Sequence, residues 1–95
     1  MVIGMFLVNS NSATVLFNSG ASYSFIAYTF IKKHGIPICV MKKPMLVNSP
    51  RGKMKTNWIC LAASLIIRGV EFQANLIVID SSRIDVILGM DWLRS

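Results

Sequence analysis

Short runs of aliphatic and β-branched residues, each soon closed off by Asn, Ser, Gly or Pro, recur along the whole chain. That punctuation favours an all-β barrel or sandwich over alternating helices and strands. Residues 2–8 read as a first strand, residues 9–12 as a turn and residues 13–17 as a second strand, together a hairpin. Ser22 is placed to cap a helix over residues 23–33. Lys32, Lys33 and His34 suit its C-terminal end, Gly35 supplies a left-handed residue to stop it, and Pro37 lies beyond. Residues 38–41 and 44–47 read as extended, Asn48-Ser49-Pro50-Arg51-Gly52 is a concentrated turn signal, and residues 53–61 form the returning strand. Residues 63–67 and 71–79 flank Arg68-Gly69-Val70 as a further hairpin. In its second arm Phe72, Ala74, Leu76 and Val78 alternate with Glu71, Gln73, Asn75 and Ile77, close to the period of a half-buried strand. After a loop at residues 80–83, residues 85–88 form a last strand, apolar on both faces and therefore central. Met90 opens a C-terminal helix with Asp91 near its start, where a carboxylate complements the exposed amides.

Ninety-five residues make one domain, with a core of modest size. Yet 54% of the residues are hydrophobic and the mean hydropathy is +0.57, more apolar than a small monomer needs. The excess suggests a partner surface, and a homodimer is the commonest way to cover one. The longest apolar stretch, residues 58–67, is interrupted by Ser64 and falls well short of the ~20 residues that a membrane-spanning helix requires. Residues 1–8 lack a basic flank and run straight into Asn9-Ser10-Asn11-Ser12, so no signal peptide is expected, and no Asn-x-Ser/Thr acceptor occurs. The chain therefore reads as intracellular and cytoplasmic, without contact with membrane. Cys39 and Cys60 could pair, but in that compartment they read as reduced, buried thiols. The net charge of +6 is concentrated at Lys32-Lys33, Lys42-Lys43 and residues 51–55. It would favour acidic partners or nucleic acid, but no aromatic residues interleave with the cations as a stacking platform requires. Solvated loops are the simpler account, and nucleic acid is not expected as a partner.

The candidate site is Val15-Leu16-Phe17-Asn18-Ser19-Gly20-Ala21-Ser22, an apolar strand delivered into a small polar turn. With Ile84-Asp85-Val86-Ile87-Leu88-Gly89-Met90-Asp91-Trp92-Leu93 near the other end, it resembles the retropepsin-like aspartic protease domain of Ty3/gypsy-type retrotransposon polyproteins. The resemblance spans roughly residues 2–93. It implies a closed, single-lobed acid-protease barrel, mostly β with one or two short helices, and an endopeptidase cleft built between two subunits. Each subunit of such an enzyme contributes one aspartate from an Asp-Thr/Ser-Gly-Ala turn, and the close pair shares a proton so that one group acts as base while the other donates. Here Ser19, Gly20 and Ala21 fill the supporting positions and Asn18 fills the catalytic one. A carboxamide matches a carboxylate in shape but has neither its charge nor a proton to exchange near neutral pH.

The resemblance thus implies a catalytically disabled member of its family, acting as a homodimer on a peptide or polyprotein. The alternative is a non-catalytic dimerisation or peptide-binding module derived from such a protease. Ala21, Ser49, Pro50, Arg51 and Gly52 are the candidate peptide-contacting residues, the last four as a flap hairpin that would close over the ligand. On the residues alone that hairpin could equally be an ordinary surface turn. The chain ends at Ser95, inside the last helix, and so is expected to be truncated relative to relatives that zip their subunits with terminal strands.

Other chemistries find little support. Asp91 is explained as a helix-start residue and Asp85 as a strand-edge one, so they do not make a substitute acidic pair. Ser19 lies outside any Gly-x-Ser-x-Gly turn. His34, Cys39 and Cys60 lack the spacing and number of a zinc site, and neither metal nor cofactor is expected.

Overall fold

The structure is a computed structural model that describes residues 2–49, 52–81 and 83–94. Among the described residues seven strands and two short helices follow one another as β1 (Val2–Val8), β2 (Asn11–Phe17), β3 (Phe25–Ala27), α1 (Tyr28–His34), β4 (Cys39–Ser49), β5 (Gly52–Ile67), β6 (Val70–Ile79), β7 (Val86–Leu88) and α2 (Met90–Leu93). The strands form one sheet in the order β1-β2-β7-β3-β6-β5-β4. A second pairing of β1 with β5, Leu7 with Ile66 and Val8 with Leu65, closes six of them into a ring and leaves β4 outside it on β5. The expected mostly-β closed barrel is therefore the observed one.

Alternation divides the apolar residues between two cores. Val15, Ile26, Leu65, Leu76, Val78, Val86 and Leu88 fill the interior of the ring with Phe30 and Ile31 of α1. Phe25, Ile77, Ile79 and Ile87 point the other way and pack with Val47 of β4, supported by Leu16, Met45 and Met54. Strands β3 and β7 are thus buried on both faces, which is why they show no polar alternation in sequence. Strand β7 is central as expected, parallel to β2 and antiparallel to β3.

Four local readings are corrected. The predicted helix over 23–33 begins only at Tyr28, because Phe25, Ile26 and Ala27 pair with both β6 and β7 and their burial outweighs local helix preference. Ser22 therefore does not cap α1; Ala27 is at the N-cap and offers no side-chain bond. The C-terminal signals hold, since Lys32, Lys33 and His34 occupy the last turn and Gly35 is left-handed at φ 62°. The first turn is narrower than residues 9–12: Asn9 and Ser10 alone turn, both at positive φ, and Val8 already pairs with Asn11, as in a two-residue hairpin. Strands β4 (Cys39–Ser49) and β5 (Gly52–Ile67) stand where four segments, 38–41, 44–47, 53–61 and 63–67, were expected. Their irregularities survive as register shifts between Val40 and Met45 and between Cys60 and Ala63. Both cysteines are free, but Cys39 is exposed and only Cys60 is buried. Burial, and secondarily the neighbouring Cys39, push the Cys60 thiol up from its ordinary value. Among the described residues no helix is long and apolar enough to cross a membrane.

Candidate functional site

Strand β2 hands the chain into the Asn18-Ser19-Gly20 turn at the edge of the inner core. The turn is fastened from both sides. The Asn18 backbone N–H donates to Leu88 O at 2.9 Å, tying it to the end of β7, and Ala21 N–H donates back to Asn18 O at 3.1 Å. The side chain joins in: Asn18 Oδ1 accepts the Gly20 N–H at 2.9 Å. A Cβ at position 20 would lie 3.1 Å from that same oxygen, so glycine keeps room for the carboxamide. Asn18 is half-buried and Ser19 and Gly20 are exposed, so the turn presents its polar atoms outward.

Behind the turn, α2 acts as a strap. Met90 N–H donates to Ala21 O at 2.8 Å and Asp91 N–H to Ser22 O at 3.1 Å. Ser24, wholly buried between them, donates its hydroxyl to Asp91 Oδ1 at 2.6 Å and its N–H to Asp91 Oδ2 at 3.2 Å, while its oxygen accepts the Gly89 N–H at 3.0 Å. Charge-assisted bonds of this kind are among the stronger ones in proteins. Gly89 is required sterically: a Cβ there would overlap the Tyr23 carbonyl oxygen and lie 2.8 Å from Ala21 O. Asp91 does stand in the first turn of a helix, as expected, but its carboxylate is committed to Ser24. The partnership escaped sequence reasoning because Ser24 and Asp91 lie 67 positions apart. Asp85 has separate employment, accepting the Thr14 N–H at 2.8 Å.

A cleft of about 320 Å³ opens between this turn and β4, lined by Asn18, Gly20, Ala21, Ser22, Tyr23, Phe25, Leu46, Val47 and Asn48. Of the residues singled out from sequence, Asn18, Gly20 and Ala21 line it. Ser19 opens onto an adjoining depression with Met90, Asp91 and Arg94. Ser49 pairs with Gly52 across the β4–β5 hairpin, so a hairpin exists where a flap was expected. Pro50 and Arg51 lie outside the described residues. The walls that sequence reasoning missed are Tyr23 and Phe25, which the overlong helix had absorbed, and Leu46 and Val47, which read as plain strand. Among the described residues no three His, Cys, Asp or Glu side chains converge as a metal site would need.

A closed single-lobed sheet, a polar turn fastened by a strap helix and a two-stranded arm beside the resulting cleft define the retropepsin-like fold. The sequence matches the retroviral aspartyl protease family over residues 1–95, and the chain belongs to that family. The structure resembles the EIAV protease complexed with the inhibitor HBY-793, with a TM-score of 0.77 and 18% identity over 98% of this chain and 85% of that one. It also resembles the retroviral protease-like domain of Ddi1 from Leishmania major, with a TM-score of 0.73 and 17% identity over 99% of this chain and 75% of that one. Identities this low speak to the fold alone. No curated protein matches the sequence.

Proposed function

We propose that this chain is the protease domain of a Ty3/gypsy-type retrotransposon polyprotein, working in the cytoplasm as a homodimer, whose cleft holds a peptide but does not cut it. The observation that carries the reading is the placement of Asn18. Its carboxamide sits at the cleft, on a turn held by Leu88, Gly20 and Ala21. In the reading proposed here this is the position of the catalytic aspartate, with Ser19 and Gly20 as its supporting residues and Ala21 among the peptide contacts.

The chemistry follows from the side chain. Peptide hydrolysis by two carboxylates needs one to take a proton from water and the other to give one to the substrate carbonyl. An amide can do neither near neutral pH, and a symmetric dimer loses both partners at once. The turn itself has no need of the charge, because Oδ1 of Asn18 accepts the Gly20 N–H as a carboxylate oxygen would. Loss of catalysis with retention of the fold is the expected combination. Apolar surface left open on the single chain supports association: Val2, Ile3 and Met5 of β1 are 60–65% exposed. That same surface gives weight to the neighbouring reading, a dimerisation or peptide-binding module no longer under selection for cleavage.

Cleavage of a peptide library at mildly acidic pH by the chain and by its Asn18→Asp variant tests the proposal. The variant should cut, at a rate at least ~10²-fold above the parent, in line with the usual worth of general acid–base catalysis. A parent that cuts as fast as the variant would refute it.

A further inference from the structure

The charge around the cleft is one-sided. Among the described residues, no carboxylate and no cation lines it. The β4–β5 arm that forms one wall carries Lys42, Lys43, Lys53 and Lys55, all exposed. Register sets Lys53 directly across from Asn48 and Lys55 across from Leu46, both cleft-lining residues, so these two ammonium groups stand one strand away from the cleft wall.

The chain's four acids all stand outside the arm. Glu71 accepts the Ser64 hydroxyl, Asp85 the Thr14 N–H, and Asp91 both donors of Ser24. Asp80 stands in a groove that Lys55 also lines. Four exposed lysines on the arm and a net charge of +6 over the whole chain favour an acidic partner at the cleft, whose lining includes the apolar Phe25, Leu46 and Val47.

We propose that the preferred occupant is an extended peptide whose apolar side chain enters the cleft and whose flanking residues are acidic. This rests on the reading of the cleft as a peptide site and adds the class of peptide. Exposed ion pairs are individually weak, so the preference comes from several lysines acting together and is screened by salt.

Fluorescence anisotropy of labelled peptides with one apolar centre and Glu, Ser or Lys flanks, titrated with the full chain at low and high salt, tests this. The Glu-flanked peptide should bind about three- to tenfold more tightly than the Ser-flanked one and the Lys-flanked peptide more weakly. The spread should shrink at high salt and reverse in the Lys53→Glu/Lys55→Glu variant. The Ser-flanked peptide should bind parent and variant alike, which shows that the cleft is intact. Equal affinity for all three would overturn the charge preference and leave the peptide site standing. Failure of every peptide to bind a chain whose circular dichroism is that of a folded β protein would remove the peptide site and this inference together. A single-stranded oligonucleotide that binds through the same lysines, where the Glu-flanked peptide does not, would overturn it in favour of nucleic acid.

Discussion

At the scale of single residues, the proposed role of Asn18 separates what the fold needs from what the chemistry would need. The turn uses one side-chain oxygen, and Asn and Asp supply it equally. Introducing Asp should therefore change the pH behaviour more than the stability: an Asn18→Asp dimer that cuts should give a bell-shaped acidic profile from its shared proton, measurable as initial rate against pH. Ser24 is the opposite case, since its hydroxyl both gives to Asp91 and takes from Gly89. Ser24→Ala leaves the buried Gly89 N–H without its acceptor and should cost about 1–3 kcal/mol, read as a lower urea midpoint. Asn18 was legible because its neighbours are local in sequence. Ser24 was not, because a lone serine carries no signal until the strap folds back over it.

At the scale of elements, the sequence marked most strands and missed where local preference was overruled. Phe25, Ile26 and Ala27 had looked like part of a helix, yet they form the strand that lies between β6 and β7 in the ring. Three residues hydrogen-bonded on both sides and buried on both faces gain more as strand than as helix, and no local pattern reports that. The irregularity in β5 has its own signature. Ala62 takes φ 52° between the shifted registers, with its N–H donating to Asn75 Oδ1 at 2.9 Å. A left-handed alanine is strained by about 1–2 kcal/mol, partly offset by the greater chain entropy of glycine when unfolded. Ala62→Gly should therefore stabilise the fold by up to about 1 kcal/mol, seen as a higher denaturation midpoint with an unchanged denaturant slope. Gly89→Ala should do the reverse, costing about 3 kcal/mol or more, because backbone oxygens of Ala21 and Tyr23 occupy the space.

At the scale of the whole molecule, the buried thiol of Cys60 makes stability depend on pH. Burial raises its folded pKa above the unfolded value, so the contribution is complete below the ordinary thiol range, near pH 8.5, and is lost as pH rises through the higher folded value. Thermal melts should show a falling midpoint above about pH 9, and Cys60→Ala should flatten that decline while lowering stability at neutral pH. Sedimentation equilibrium addresses association: a chain that stays monomeric up to millimolar concentration would count against the homodimer. The sequence by itself determined the class of fold, the polar turn and the identity of the residue at its head. Strand alternation, turn residues and the two motif blocks are all written in local order, and local order is what one chain displays. Tertiary structure alone decided the closing of β1 onto β5, the conversion of residues 25–27 from helix to strand, the pairing of Ser24 with Asp91 and the walls of the cleft. Each of these joins residues far apart in the chain, and the energy that selects them comes from burial and from hydrogen bonds that exist only once the ring has closed.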